Sequence, residues 1–400
     1  MIPIRATNKP SRLLCALSAF AVKLTQNLTA KTPRAQSNSL DPAAIHEHYF
    51  FSVMDRASPT PQELSGLIRS FPPFRPPAVL RNPHVQTVIA SRKPRRFRYG
   101  WTRSEAMEIR LEKDGSILVE VSWQPGERRD APALFLLHGL EGSAASHYLL
   151  GMSKKAYAAG FHAVRVNTRN CGGTEHMTPT LYNAGLSQDV AAIVEHLEQQ
   201  CGVREIYAAG VSLGANVLLK YLGEQEERAA SHVRGAAALS CPIDLGVSVA
   251  RMLEPQNWAY QRYFVRRLKE HLWRKIAFFP DIADVRKIDR IRTIYDFDDL
   301  ITAPHFGFGT AYNYYRLASS APLLRKIRVP TLIVQSMDDP MIPFEPFLHS
   351  GIEDNPFLAF LGTKHGGHAG FLGIRPACSG DQDAYWAECR IVQFFSGLAR

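Results

Sequence analysis

The pentapeptide 210–214, Gly-Val-Ser-Leu-Gly, constrains the fold of this 400-residue chain more than any other segment. The run 205–209 before it predicts a short β-strand, and the run 215–222 after it predicts a helix. A serine between two glycines at such a junction is typical of a nucleophile elbow. The turn is so sharp that a side chain at either glycine would collide with the neighbouring strand or helix. We therefore predict that the hydroxyl group of Ser212 is lifted out of a sheet, where a substrate can reach it.

Apolar runs alternate with helical patterns from residue 106 to the C-terminus, which indicates a mostly parallel central sheet flanked by helices, an α/β fold. The predicted strands are 108–112, 117–123, 133–138, 162–167, 205–209, 233–240, 331–336 and 357–362. The predicted helices are 145–159, 186–199, 213–224 and 384–397.

A ninety-residue insertion separates two of the predicted strands, 233–240 and 331–336. Its sequence is helical, aromatic and basic, with eleven Lys and Arg residues in the range 251–292. Such a long excursion within a regular α/β pattern is typical of a cap over a site, which we place at about 243–325. The alternative is an extra helical layer with no gating role.

The sequence before residue 106 divides into two parts. We predict a flexible N-terminal extension over 1–70 and a proline-rich, basic, extended arm over 71–105, followed by the α/β domain over 106–400. The apolar run 13–22 is too short to cross a bilayer. A signal peptide, an organelle transit peptide, or a true start at Met54 are the alternatives to a flexible extension.

The net charge of +10 is concentrated in clusters, with six Lys and Arg in 1–40 and six more in 92–103. A basic surface is either simply solvated or attracts anionic partners such as a phospholipid membrane, which we keep as a peripheral contact. No nucleic-acid-binding motif accompanies the charge, so we predict no nucleic-acid partner. The six cysteines form no C-x-x-C pair, which favours reduced thiols in a cytoplasmic protein without structural zinc.

Candidate partners for Ser212 lie at the ends of two later strands. The strand 331–336 leads into an acidic turn, and the strand 357–362 leads into a histidine turn, 363–371. The loops that follow parallel strands meet at one edge of the sheet, so the serine, an acid and a histidine would converge there. A serine needs a base to take its proton and an acid to orient that base.

Each turn offers two candidates. We prefer Asp339 because it lies four residues before Pro343, a spacing usual for this acid, and we assign Asp338 to capping the turn. We prefer His368 because glycines 366, 367 and 370 free its loop, whereas His365 would bond to the loop backbone. A metal site formed by His365, His368 and Asp339 is the alternative, although it lacks a fourth ligand.

Two backbone N–H groups are candidates for an oxyanion hole. One belongs to Leu213, directly after the serine, and the other to Leu140, in the loop 138–143 that follows a predicted strand. We interpret His138, at the start of that loop, as a structural part of the His-Gly turn.

These turns, together with several motifs elsewhere in the chain, resemble those of the AB hydrolase 4 family of α/β hydrolases. The resemblance runs from about Phe74 to the C-terminus, and its motifs are 80–87, 138–143, 169–174, 210–223, 295–299 with 302–303, 314–315, 338–340 and 365–371. It implies an α/β-hydrolase fold and a serine carboxylesterase or lipase for short- or medium-chain acyl esters, with Ser212, Asp339 and His368 as catalytic residues. Some members of the family cleave phospholipid or acylglycerol esters, and some are anchored in membranes. This chain departs from those by lacking a full N-terminal span.

Other polar residues in these motifs have structural interpretations. We expect Asp296, Asp298 and Asp299 to cap helices of the insertion or to pair with its basic residues, such as Arg292 or Arg316. We expect residues 169 and 170 to form a tight loop near the site.

The sequence thus predicts a serine hydrolase that cleaves carboxylic esters or lipids through an acyl-enzyme, with no cofactor and no metal. An acyltransferase with the same three residues and a non-catalytic lipid-binding protein are the alternatives.

Overall fold

The central sheet of this computed structural model has nine strands in the order β1-β9-β8-β7-β6-β4-β5-β3-β2. The structure describes residues 49–50, 60–93, 95, 104–112 and 115–399, so most of the predicted N-terminal extension lies outside the described residues. The strands are β1 Tyr49–Phe50, β2 Glu105–Glu112, β3 Gly115–Ser122, β4 Ala133–Leu137, β5 His162–Val166, β6 Ile206–Val211, β7 Val233–Leu239, β8 Thr331–Ser336 and β9 Leu358–Thr363.

Within the described residues, fourteen α-helices surround the sheet. They are α1 Pro61–Arg69, α2 Pro83–Arg92, α3 His147–Ala158, α4 Ser187–Gln199, α5 Leu213–Gln225, α6 Glu227–His232, α7 Leu245–Leu253, α8 Trp258–Phe278, α9 Val285–Ile288, α10 Ile294–Phe297, α11 Ala303–His305, α12 Ala311–Ala318, α13 Glu345–Leu348 and α14 Trp386–Leu398. None of the helices in the described part of the chain has both the length and the apolar character needed to cross a membrane.

The pairing of strands confirms the predicted mostly parallel sheet. The strands β4 to β9 pair in parallel, whereas β2 and β3 pair with each other, and β3 with β5, in antiparallel fashion. Every residue of β4, β5, β6, β8 and β9 is buried, because helices cover both faces of the sheet. The carboxyl ends of β4, β6, β8 and β9 therefore lie along one edge and carry the loops discussed below.

Apolar side chains pack on both faces of the sheet. One cluster joins the sheet to α4, α5 and the helices after β7, and includes Phe135, Leu197 and Leu218. The other joins the sheet to α1, α3 and α14, and includes Leu134 and Phe395. The five described cysteines are free thiols, and four of them are buried.

Two helices occur where the sequence analysis predicts irregular or extended chain. Helix α1 lies in the range 1–70; it begins with a capping box between Thr60 and Glu63 and has Pro61 in its first turn. Helix α2 lies in the predicted extended arm; its N-cap, Asn82, accepts hydrogen bonds from the backbone N–H groups of His84 and Val85. In both cases a polar cap residue followed by proline starts the helix, a local signal that the sequence analysis did not use.

The chain between β7 and β8 is helical and forms α7 to α12, which we call the cap. Its longest helix, α8, has 21 residues. The side chains of Phe264 and Leu268 on α8 face a pocket at the sheet edge that also contains Ser212.

Candidate active site

Ser212 lies at the sharp junction between β6 and α5, in a strained backbone conformation with φ 54° and ψ −122°. The two flanking glycines are required by close backbone contacts. A Cβ atom at Gly210 would lie 2.5 Å from the carbonyl oxygen of Gly214, and one at Gly214 would lie 2.5 Å from that of His138. The predicted collision on either flank of the serine is therefore present in the structure.

The structure brings Ser212, His368 and Asp339 into one hydrogen-bonded row. Ser212 Oγ lies 3.0 Å from His368 Nε2, and His368 Nδ1 lies 2.9 Å from Asp339 Oδ2. The serine follows β6, the aspartate follows β8 and the histidine follows β9, so three separate loops meet at the predicted edge of the sheet. With Nδ1 donating to the carboxylate, Nε2 is left without a proton and can accept the proton of the serine hydroxyl.

Both carboxylate oxygens of Asp339 have hydrogen-bond partners. Its side chain is fully buried, and Oδ1 accepts the backbone N–H groups of Met341 and Ile342 at 2.9 and 3.0 Å. The other oxygen, Oδ2, faces the ring of His368. The turn 339–342 thus orients the carboxylate before any substrate binds.

Asp338, the alternative acid, has a different role from the turn cap that the sequence analysis assigns to it. Its carboxylate accepts the backbone N–H of Gly367 at 2.9 Å and lies 3.1 Å from Nδ1 of His365. The expected bond between the His365 side chain and the loop backbone is replaced by this side-chain pair. Asp338 therefore joins the acidic turn to the histidine loop, and the two aspartates bind two different histidines. Among the described residues, no group of three or more His, Cys, Asp or Glu could hold a metal ion.

Helix α2 supports the histidine loop, which the sequence analysis did not foresee. Thr87 Oγ1 accepts the backbone N–H of His368 at 2.9 Å and donates to the carbonyl of Pro83 at 2.7 Å. The loop passes so close to α2 that a Cβ atom at Gly367 would lie 2.7 Å from the oxygen of Pro83. On the other side, Ala369 N–H donates to Ser240 Oγ at 3.0 Å. The cap residue before Pro83 was the one sequence signal for this helix.

The two predicted oxyanion donors flank Ser212. Leu213 is the first residue of α5, and Leu140 lies in the loop after β4; both line the pocket that contains the serine. The neighbouring N–H groups of Gly139 and Glu141 donate to the hydroxyl groups of Tyr148 and Tyr182. Within the described part of the chain, the N–H groups of Leu140 and Leu213 have no protein acceptor, so both are available to a ligand.

His138, at the start of the loop 138–143, which we call the oxyanion loop after its predicted role, is buried and takes a fixed tautomer. Its Nδ1 donates to the carbonyl of Gly139 at 2.8 Å, and its Nε2 accepts the backbone N–H of Thr168 at 3.2 Å. Burial lowers its pKa to about 4, so the ring is neutral. It makes no bond to Ser212 and holds the loop in place, as the sequence analysis expects.

A family model described as the alpha/beta hydrolase fold matches residues 132–346, more than half of the chain. The chain belongs to the α/β hydrolase family. This confirms the α/β-hydrolase fold and the α/β-hydrolase membership that the sequence motifs imply, whereas the narrower assignment to the AB hydrolase 4 family stays a prediction. The matched range begins just before β4 and ends in α13, so it contains Ser212, Asp339 and the whole cap.

Three curated relatives of this hydrolase are named as enzymes that hydrolyse esters. It is 32% identical to "Putative esterase YheT" of Escherichia coli, over 75% of this chain and 87% of the relative. It is 32% identical to the monoacylglycerol lipase of Saccharomyces cerevisiae, over 66% of this chain and 59% of that protein. It is 29% identical to human phospholipase ABHD3, over 61% of this chain and 60% of that protein. The hydrolase is thus related to esterases and lipases.

The pocket of the hydrolase lies between the sheet edge and the cap and encloses about 850 Å³, including its open mouth. Ser212 and His368 form part of its wall, and most other lining residues are apolar: Leu140, Leu213, Pro242, Leu245, Val249, Met252, Phe264, Leu268, Ile294, Phe297, Met341 and Ile342. A pocket with this apolar lining suits an aliphatic chain better than a charged ligand.

A buried polar cluster fastens α8 of the hydrolase to the oxyanion loop. Glu141 Oε1 lies 2.8 Å from Nδ1 of His271 on α8 and accepts the hydroxyl of Tyr182 at 2.8 Å. Burial alone would raise the pKa of Glu141, but the bonds from His271 and Tyr182 outweigh it and lower that pKa. Glu141 also has a positive φ of 56°, so the cluster holds a strained residue next to Leu140.

A second buried contact fastens α8 to the tight loop after β5. The ammonium group of Lys275 donates to Asn170 Oδ1 at 2.7 Å and to the carbonyl oxygens of Glu175, at 2.8 Å, and Thr178. Burial lowers the pKa of this lysine to about 8. The predicted tight loop around residues 169 and 170 is thus a docking site for the cap.

Proposed function

We propose that this hydrolase is a serine carboxylesterase or lipase, which cleaves short- or medium-chain acyl esters through an acyl-enzyme at Ser212. The observation that carries the proposal is the hydrogen-bonded row of Ser212, His368 and Asp339 at the wall of an apolar pocket. The names of the curated relatives support the same class of substrate.

In this mechanism, Ser212 Oγ attacks the carbonyl carbon of the ester as His368 Nε2 takes its proton. Asp339 holds the imidazole in the required tautomer and stabilises its positive form. The N–H groups of Leu140 and Leu213 bind the oxyanion of the tetrahedral intermediate. His368 then gives its proton to the leaving alcohol, and a water molecule repeats the sequence on the acyl-enzyme.

The test is hydrolysis of p-nitrophenyl esters from acetate to palmitate by the full chain and by Ser212→Ala. The matched control is Ser248→Ala, because Ser248 lines the same pocket but donates its hydroxyl to the carbonyl of Asp244. We expect a maximum at one chain length, activity retained in the control, and none in Ser212→Ala. If no ester is hydrolysed and a fluorophosphonate does not label Ser212, the non-catalytic lipid-binding alternative replaces the proposal.

An acyltransferase would use the same acyl-enzyme but pass the acyl group to an alcohol. Added alcohol separates the two functions. For an esterase, free acid remains the main product, whereas an acyltransferase makes new ester at the expense of acid.

We propose that the outer face of α8 binds the surface of an anionic membrane and that the lipid substrate enters the site from there. Trp258, Tyr263, Trp273 and Phe278 are between 39% and 56% exposed there. The exposed arginines of the same helix are 262, 266, 267 and 274. Aromatic rings and arginines on the outer face of one helix are typical of interfacial binding, and the positive charge favours anionic headgroups.

Vesicle sedimentation tests this surface. We expect the protein to bind phosphatidylcholine vesicles containing 30% phosphatidylglycerol about tenfold more tightly than pure phosphatidylcholine, with binding weakened by salt. Trp273→Ala should weaken binding, whereas Leu348→Ala should not, because Leu348 is equally exposed but lies outside the cap, on α13. Equal binding to both vesicle types, or equal effects of both variants, would contradict the proposal.

A further inference from the structure

One carboxylate interrupts the apolar wall of the pocket. Among the described residues that line it, Asp298 is the one acidic side chain, and no Lys or Arg is present. Placing a carboxylate beside apolar side chains is unfavourable unless hydrogen bonds compensate it, and burial accordingly raises the pKa of Asp298 to about 7. Because burying the carboxylate of Asp298 in this wall costs free energy, its presence there indicates a function in the pocket.

The two neighbouring acids of the same motif have structural explanations, in agreement with the sequence analysis. Asp296 completes a capping box with Thr293 and accepts the backbone N–H, rather than the side chain, of Arg292. Asp299 accepts the backbone N–H of Ala311 at the start of α12. For Asp298 the expected cap or basic partner is absent from the described structure, so its role differs from theirs.

Asp298 accepts hydrogen bonds from two neutral hydroxyl groups. Thr302 Oγ1 donates to Oδ1 and Tyr315 Oη donates to Oδ2, each at 2.8 Å. Within the described residues, no Lys, Arg or His pairs with it. Because a carboxylate can accept about four hydrogen bonds, each oxygen retains acceptor capacity. The residue also opens a π-helical stretch, 298–302, a geometry that is frequent at functional sites.

We propose that Asp298 accepts a hydrogen bond from a hydroxyl group of the substrate, so that the pocket selects neutral esters with a free hydroxyl on the acyl chain or on the alcohol. The proposal rests on the proposed esterase function and names its substrate class. An acceptor at this position penalises an alkyl chain that offers it no donor, and a pocket wall without Lys or Arg offers an anionic ester no counter-charge. Tyr315 and Thr302 orient the carboxylate for this contact.

Matched pairs of esters separate the two sources of the hydroxyl group. For the acyl side, p-nitrophenyl hexanoate is compared with p-nitrophenyl 6-hydroxyhexanoate. For the alcohol side, propyl hexanoate is compared with glycerol 1-monohexanoate. We expect the wild-type protein to have a higher kcat/KM for the hydroxylated ester in at least one pair, a comparison that requires no variant.

The variant Asp298→Leu should lower kcat/KM for that hydroxylated ester by about tenfold to hundredfold and leave its plain counterpart unchanged or faster. The control is Asp299→Asn, the adjacent acid outside the pocket lining, which should leave the preference within each pair unchanged. No wild-type preference in either pair, or an equal effect of Asp298→Leu on both members, would overturn the inference. Wild-type activity that depends on Ser212 would then leave the esterase proposal standing, whereas no hydrolysis at all would refute both.

Discussion

Replacing Asp339 with Asn gives a direct test of how the structure sets the tautomer of His368. In the native chain, Oδ1 accepts the N–H groups of Met341 and Ile342, so this position must be an acceptor. An asparagine keeps its carbonyl oxygen on these donors and points its NH2 group at His368 Nδ1. Nδ1 must then accept, and the ring proton moves to Nε2, which faces Ser212 Oγ.

In the proposed mechanism, that change removes the base without removing any side chain from the site. With a proton on Nε2, the ring cannot take the serine proton, and kcat should fall by about 10⁴-fold at neutral pH, as it does when a triad aspartate is replaced by asparagine. This corresponds to about 5.4 kcal/mol in the activation free energy. The two backbone bonds to residue 339 persist, so the free energy of unfolding should change by only about 1 kcal/mol.

The assay is kcat for p-nitrophenyl butyrate, together with the rate at which a fluorophosphonate labels Ser212 and a thermal unfolding curve. The matched control is Asp338→Asn, which bonds to His365 and to Gly367 N–H but not to the ring of His368. Asp338→Asn should lower kcat by about tenfold or less. The reasoning is refuted if Asp339→Asn keeps kcat within tenfold of wild type, or if both variants lose activity equally.

Three further changes test the supports of the site. Gly214→Ala should destabilise the fold by about 1–3 kcal/mol and abolish activity, because its Cβ would lie 2.5 Å from a carbonyl oxygen; normal unfolding and kcat would contradict this. Glu141→Gln should make the stability of the protein less sensitive to acid. The lowered pKa of Glu141 contributes stability that is fully present above the ordinary pKa of 4.5 and is lost as the pH falls through the pKa of the folded state. Denaturation curves of the variant at decreasing pH should lack that loss. Lys275→Met leaves three buried acceptors without a donor and should lower the free energy of unfolding in urea by about 3 kcal/mol, against less than about 1 kcal/mol for Arg262→Met, an exposed arginine of the same helix.

Local sequence patterns were sufficient to predict the sheet and the meeting of its loops. Buried parallel strands are short apolar runs, and their ends must lie on one edge, so Ser212, Asp339 and His368 could be placed together without coordinates. The predicted strand boundaries differ from the observed ones by three residues or fewer; for instance, 108–112 is part of Glu105–Glu112. The choice of Asp339 over Asp338 depended only on its distance from Pro343.

Contacts between distant segments could not be predicted in this way. Thr87 and His368 are 281 residues apart, and Glu141 and His271 are 130 apart. The local sequence around Thr87 or His271 does not identify the partner of that residue, because a threonine in a helix or a histidine on an amphipathic face is compatible with many surroundings. The polarity of Asp298 was visible in the sequence, but its position in the pocket wall depends on the π-helical stretch and the packing of α12.

Helix α8 connects the separate parts of the site. His271 binds the oxyanion loop through Glu141, Lys275 binds the loop after β5, and Tyr260 stacks on His84 of α2, the helix that holds the histidine loop. Lifting α8 as a unit would break the buried polar cluster around Glu141 and leave the acceptors of Lys275 unpaired, at a cost of several kcal/mol. The same helix presents aromatic rings to solvent on its opposite face. The geometry of α8 is therefore that of a fixed wall, one face of which lines the pocket and holds the loops of the candidate site in position.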